Sequence, residues 1–421
     1  MNLLIKILAV LSRIYCWRYD PKIIAITGNI GKTSTKDAIV TVLSSRFRVR
    51  GPEKNYNNEI GVPLTILGWH NSAKNIFGWF IQLLRLPLSL MLDSGVDILV
   101  LEMGADHPGD IDYLTKLARP DIGVLTAIGD LPVHAEFFAS TDELVREKSL
   151  LVQRTDPLGH VFLNADDPKV CSMSALAKAA VHLVGEAAGA EFKVENIELR
   201  AHNNFPEGLS YKIRYRGLQI PIRLYGSLSR PQVLASAFAF AIGVIFRLNP
   251  IEIVERLKKY QLPPGRLKII KGQNDSVILD DSYNAAPQAV LSALETLLSL
   301  PGRHIAVLGD MKELGAMSDM AHRRVGEKAK DCDLLFCVGA NARIIAAAAV
   351  KNGLAEDRVF YFNASSEVSP ALLSLLEAQD VVLVKGAQSM RMERVVKAIM
   401  AEPERASELL PRQNPEWLRI P

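Results

Sequence analysis

The chain is poor in cysteine: four in 421 residues, Cys16, Cys171, Cys332 and Cys337, with no C-x-x-C pair and no histidine cluster at zinc spacing. That pattern excludes a disulfide scaffold and a zinc ribbon, and the thiols read as small buried apolar residues in a reducing compartment. No secretory cleavage pattern follows the N-terminus, which points to the cytoplasm. Net charge is only +3, so there is no broad basic field, nucleic acid is not expected as a partner, and a small molecule is. No apolar run reaches the roughly 20 residues that a spanning helix needs. There is neither an internal repeat nor a low-complexity tract. What remains, 49% hydrophobic and 23% charged, is a globular composition with room for two cored domains and a short extra segment.

Two apolar segments stand apart. Residues 1–17 read MNLLIKILAVLSRIYCW, with Asn2, Lys6 and Arg13 near one helical face, and residues 76–92 read IFGWFIQLLRLPLSLML, interrupted by Arg85 and Pro87. Both are too short to span, so two readings stay open: peripheral contact with a membrane face, or packing as core or inter-domain helices.

Elsewhere apolar runs at 23–27, 96–102, 122–127 and 161–164 alternate with amphipathic stretches, the rhythm of an α/β fold with a mostly parallel sheet. Between 191 and 224 the pattern shortens to alternating runs, predicting an antiparallel patch on the same domain. The prolines and glycine of LPPGR at 262–266 mark a boundary. Beyond it, runs at 277–280, 305–308, 334–338 and 381–385 predict a second α/β domain. The expected organisation is a 1–20 apolar N-terminal segment, a 21–262 α/β domain, a 263–400 second α/β domain and a 401–421 tail, which its proline, glutamate and arginine content predicts to be loosely held.

The stretch KIIAITGNIGKTSTKDAI at 22–39 carries the chemistry. Strand, glycine loop and helix follow in order, so backbone N–H groups of Gly28, Asn29 and Gly31 and a helix N-terminus converge on an anion. Lys32 adds a charge for outer phosphates, Thr33 a hydroxyl suited to Mg²⁺, and Ser34 continues the loop. The strict G-x-x-x-x-G-K-[ST] form is broken by Ile26 in the first glycine position.

The shortened loop T-G-x-x-G-K-T resembles that of the Mur ligases, ATP-dependent enzymes that add amino acids to the peptidoglycan stem peptide. NYNNEIGVPLT (55–65), LEMGADHPGDI (101–111), LNADDP (163–168), PPGRL (263–267), LDDSYNAAPQA (279–289), VLGDMKELG (307–315) and LVKGAQSMRME (383–393) are similar, in order and spacing, to the branch that adds D-alanyl-D-alanine to a UDP-N-acetylmuramoyl-tripeptide. The likeness runs from about 22 to 400. It implies a central P-loop-type ATPase domain followed by a Rossmann-like C-terminal domain, ATP, and two Mg²⁺ ions. Glu102 with Thr33 would hold the first ion and His134 the second. Lys148 would carry a carbamate and ligate as an oxygen anion. Arg266, Asp281 and Asn284 are implied at the nucleotide, Asn57, Asn58 and Asp310 at the substrates, and Lys385 at their reactive ends. The implied partners are a cell-wall precursor and a D-amino-acid dipeptide.

Three departures qualify the likeness. Relatives carry a separate N-terminal domain for the uridine diphosphate, whereas about 20 residues precede the first strand here. The usual G-x-H-N-x-x-N reads GSLSRPQ at 226–232, leaving Arg230 or Gln232 to replace a phosphate or adenine contact. The apolar 76–92 segment follows the asparagine-rich loop directly. Together they raise an expectation of a lipid-linked acceptor at the inner face of the cytoplasmic membrane. Two rivals stay open: a related ligase with another amino donor, such as glutamate, and a non-ligating ATP-dependent scaffold.

Overall fold

The computed structural model describes residues 2–52, 56–69, 95–129, 137–138, 140–202 and 205–419. Two sheets organise them. The first has nine strands in the order β2-β3-β1-β4-β5-β6-β7-β8-β9. Its strands are β1 Lys22–Thr27, β2 Val49–Arg50, β3 Ile98–Glu102, β4 Ile122–Leu125, β5 His160–Asn164, β6 Ala180–Gly185, β7 Phe192–His202, β8 Phe205–Tyr215 and β9 Leu218–Tyr225. β1 runs parallel to both β3 and β4, and pairing stays parallel out to β7. β7–β8 and β8–β9 are antiparallel. The central strands are apolar at successive positions because helices cover both faces, and Ile24, Ala25, Ile26, Leu99 and Val100 have no exposed surface.

Helix Lys32–Leu43 follows the loop after β1 and packs on helix Arg230–Ile245. The latter is rich in alanine, which lets the backbones approach: a Cβ at Gly243 would lie 3.0 Å from a Val42 methyl and 2.9 Å from Ile253.

The chain then crosses to the second sheet, ordered β10-β11-β15-β12-β13-β14. These are β10 Lys268–Lys271, β11 Val277–Asp281, β12 His304–Gly309, β13 Leu334–Val338, β14 Val359–Phe362 and β15 Val381–Lys385, all parallel except the β10 edge. Glu102, Asp281 and Lys385 are each the last residue of a parallel strand. Carboxyl ends of parallel strands are where α/β folds place their ligands.

Four strands escaped the sequence reading. β2 and β14 are short edges, β6 holds His182 in its middle, and β10 is charged at both ends. Each joins its sheet through backbone pairing that composition does not announce.

Helix Asn2–Tyr19 resolves half of the question about residues 1–17. Leu8, Ser12 and Tyr15 are buried in the core shared with helix Gly61–Leu67. The opposite face is not: Leu3, Val10, Ile14 and Trp17 are exposed by 72, 52, 41 and 84%. Among the described residues no helix is long and apolar enough to cross a membrane. Residues 76–92 lie outside the described residues, so that second segment is not placed.

The tail corrects its expectation of looseness. Ala406 and Leu410 are buried in the core of the second sheet, Ala401 N–H donates to the Lys271 carbonyl at 2.9 Å, and Arg412 is buried against Glu393. Four anchoring residues in a polar stretch suffice, and an average over its composition conceals them.

Candidate functional site

The glycine loop after β1 is built by one unusual backbone position and one cap. Gly28 has φ 141°, and a Cβ there would strike the Thr126 hydroxyl at 2.1 Å. Only glycine passes this point. Gly31, at φ 89°, caps helix Lys32–Leu43 with no side chain occupying the helix N-terminus. The first-turn N–H groups therefore remain available to an anion. Asn29 is tied down by its N–H to the Ala127 carbonyl at 2.6 Å and its amide to the Ile128 carbonyl at 2.7 Å, while its side-chain oxygen is buried without a partner.

Lys32 curls back so that Nζ donates to the Gly28 carbonyl at 2.6 Å, and desolvation lowers its pKa. Beside it, Thr33 Oγ1 donates to Glu102 Oε2 at 3.3 Å. Glu102 is 2% exposed, its pKa is raised by that burial, and its Oε1 has no partner. A buried carboxylate oxygen left unpaired is costly unless something cationic completes it. A hard divalent ion beside a threonine hydroxyl meets that need, so these residues fit Mg²⁺.

These groups open into a cleft of about 310 Å³ between the two sheets. From the first sheet come Asn29, Gly31, Lys32, Thr33, Ser34, Asn57, Glu102, Asp106 and Gln232. From the second come Arg266, Asp281, Tyr283, Asn284 and Lys385. Lys385 Nζ reaches Asp281 Oδ2 at 2.5 Å and the Asn284 carbonyl at 2.9 Å. Arg266 lies over the Tyr283 ring, 4.2 Å from its centroid.

Lys148 lies behind this wall on helix Thr141–Arg154, whose N-terminus is capped by Ser140. It is 2% exposed. Burial pushes its ammonium down to about 7, Lys32 repels it further, and Asp106, Glu147 and Asp110 hold it up. A buried lysine near pH 7 has a large neutral fraction, the form that takes up CO₂.

Other expected residues sit differently. Asn58 is turned inward on its own loop, accepting N–H bonds from Ile60 and Gly61. Asp310 is 2% exposed and outside the cleft; it accepts from Ala342 N–H at 2.8 Å and pairs with Lys312. Both are structural contacts in this geometry. His134 lies outside the described residues. The replaced motif also has a specific outcome: Gln232 Nε2 donates to Ser34 Oγ at 2.8 Å, while the single Tyr260 O–H lies within reach of two acceptors, Gln232 Oε1 at 2.8 Å and the Ser34 carbonyl at 3.0 Å. Gln232 thus braces the phosphate-loop helix, and Arg230 pairs instead with Glu186.

Sequence reasoning missed Tyr283, Tyr260 and Asp106. Tyr283 stood within LDDSYNAAPQA and Asp106 within LEMGADHPGDI, where each was legible as a polar neighbour of a chosen residue. Tyr260 carried no signal, because its partner is 226 residues away in the chain.

Comparisons with known proteins bear on the family and the fold. A family model described as the Mur ligase middle domain matches residues 81–240, and one described as the Mur ligase, glutamate ligase domain, matches 265–388. The chain is 27% identical over 401 residues to the UDP-N-acetylmuramoyl-tripeptide–D-alanyl-D-alanine ligase of Bacillus subtilis, covering 93% of this chain and 79% of that one. To the ligase of the same name from Mycobacterium tuberculosis it is 30% identical over 414 residues, covering 90 and 73%. The crystal structure of MurF ligase from Thermotoga maritima in complex with ADP superposes with a TM-score of 0.78 at 25% identity, over 95% of this chain and 84% of that one.

Proposed function

The chain belongs to the Mur ligase family, and from that premise we propose that it is an ATP-dependent peptide ligase joining D-alanyl-D-alanine to the free carboxyl group of a muramoyl-peptide precursor. The observation that carries the reading is the single cleft shared by Lys32, Thr33, Glu102, Arg266 and Lys385.

A carboxylate does not react with an amine at neutral pH, so a leaving group must first be installed. The carboxylate oxygen attacks the γ-phosphorus of ATP, ADP leaves, and an acyl phosphate results. The dipeptide amine then adds to the carbonyl carbon, and inorganic phosphate departs as the amide forms. Every stage gathers negative charge, which fixed cations in a closed site stabilise. The phosphate loop cradles the triphosphate, Lys32 covers its outer oxygens, and Arg266 and Lys385 meet it from the second sheet. Closure of the two domains keeps water from the acyl phosphate. Thr33 and Glu102 would hold Mg²⁺, which supplies charge neutralisation at the phosphates. A second ion would draw on Lys148 as its carbamate, with His134 as the further ligand that the family likeness supplies.

The test uses purified protein, ATP, Mg²⁺ and a panel of acceptors and dipeptides, with product mass as readout. Phosphate release that requires both a D-dipeptide and a muramoyl peptide supports the proposal. Release that no amine stimulates would favour the scaffold reading, and glutamate as the preferred donor would favour the other ligase. The carbamate is tested with isotopically labelled bicarbonate, which should give a carbamate carbonyl NMR signal that Lys148→Ala removes.

A finer reading concerns location. The exposed stripe Leu3, Val10, Ile14 and Trp17 is flanked by Lys6 and Arg13, with no acidic residue inside the helix. That combination suits the anionic inner face of the cytoplasmic membrane and a lipid-linked acceptor. Flotation with anionic vesicles tests it: a Leu3→Glu, Val10→Glu, Trp17→Glu triple variant should lose binding while leaving buried Leu8 and Tyr15 in place. Equal turnover of soluble UDP-linked tripeptide without lipid would count against it.

A further inference from the structure

The last twenty residues of this chain lie beyond the segment matched by the family models, yet they reach the edge of the nucleotide cleft. The contact is made by Arg412. Its Nη1 donates to the Tyr283 carbonyl at 3.0 Å and its Nη2 to the Ser282 carbonyl at 2.5 Å. Its Nε and Nη2 also reach Glu393 Oε2, at 3.1 and 2.7 Å, and Arg391 holds the other oxygen of that carboxylate at 2.7 Å. Glu393 is 1% exposed and Arg412 9%.

A buried Arg-Glu-Arg group is an expensive way to fasten a tail, since desolvation offsets most of the attraction and apolar packing serves as well. Ala406 and Leu410 already supply apolar packing nearby. What the guanidinium adds is direction. Its planar fork fixes two successive carbonyls of the 282–283 turn from outside, while Lys385 fixes the next carbonyl, that of Asn284, from inside. The turn that carries Tyr283 and Asn284 into the cleft is thus gripped on both sides. The same tail touches the inter-domain linker: the Pro411 ring lies 3.0 Å from a Cβ placed at Gly265, whose carbonyl accepts from Tyr283 N–H. Arg266, next in the chain, stacks on Tyr283.

We propose that Arg412 is a positioning residue for nucleotide binding, setting the 282–284 turn and, through Tyr283, the reach of Arg266 into the cleft. Trp417 covers the group from outside, with its ring centroid 5.9 Å from the Arg412 guanidinium and 5.5 Å from that of Arg391.

This rests on the cleft being the ATP site, and the experiment separates the two claims. Full-length protein and its Arg412→Ala and Arg412→Lys variants are titrated with Mg-ADP by calorimetry, alongside melting temperature and the KM for ATP. Arg412→Ala should weaken ADP binding and raise KM for ATP about tenfold with little change in kcat. Arg412→Lys, which keeps the charge but not the fork, should fall between it and the native protein. A merely structural role would lower the melting temperature alone, and folded variants with native ADP affinity would overturn the inference. Native protein that binds no ADP would overturn the site reading and the inference together. Should the Arg412 variants not fold, Trp417→Ala, which leaves the ion pairs intact, takes their place: an ADP affinity weakened about threefold supports the inference, and an unchanged one overturns it.

Discussion

Lys148 and Lys385 are both sealed in the protein, at 2 and 3% exposure, and burial lowers the pKa of each. They differ in company. Lys385 has the Asp281 carboxylate at 2.5 Å, whereas among the described residues Lys148 has no carboxylate at ion-pair distance and feels Lys32 as a repelling charge. One lysine therefore shares its buried site at the end of β15 with a carboxylate, and the other is buried without one. A neighbouring carboxylate favours the charged form of a buried lysine, and its absence leaves desolvation to favour the neutral amine.

The sharpest way to break that contrast is at Lys148. If its role needs the neutral amine and the carbamate, Lys148→Ala and Lys148→Arg should both lower amide synthesis by roughly 10²–10³-fold, a loss of the size seen when one transition-state stabiliser is removed. Steady-state product formation checks this, and an active arginine variant would return Lys148 to the class of fixed cations.

The next effect is on stability at the other lysine. Lys385→Ala leaves Asp281 buried without its partner and should cost about 3–5 kcal/mol, while the Lys385→Ala, Asp281→Ala double variant should lose less than the two single losses summed. Urea unfolding measures both. Lys148→Met should behave oppositely, stabilising the protein by about 1–4 kcal/mol at pH 6, where the native lysine is still a buried ammonium. The sign follows from linkage. Between the folded pKa of about 7 and the unfolded 10.5 the unfolded chain binds more protons, so native stability rises with pH through that window, and the methionine variant lacks the rise.

The smallest effect sharpens the rule from the acidic side. Asp280 is fully buried beside Asp281, one of its oxygens has no partner, and burial raises its pKa to about 6. The folded protein thus binds the extra proton between the unfolded 3.8 and about 6, and stability falls as pH rises across that range. Asp280→Asn should remove the fall and add about 1–3 kcal/mol at pH 7, read as a higher melting temperature.

Legibility in the sequence tracked distance along the chain. Strands β1, β3, β4 and β5 and the Gly28–Thr33 loop stood out because their signal is local: apolar runs, glycines and a lysine within a few residues of one another. Lys148 could be singled out only by family likeness, since nothing in VREKSLLV shows that helix Thr141–Arg154 will bury it. Asn58 and Asp310 came from the same likeness, and the folded geometry turns both toward backbone N–H groups. The tail was misjudged because its hold on the molecule depends on Glu393, Ser282 and Tyr283, which are distant in sequence from Arg412.

By itself the sequence determined the α/β alternation and the glycine loop between β1 and its helix, because backbone sterics, hydrophobic period and helix termini act over a few residues. Only the tertiary structure decided which buried lysine has a carboxylate partner, which polar residues face the cleft and where the tail packs. Those outcomes depend on desolvation and on partners distant along the chain, and both come into being only when the elements pack together.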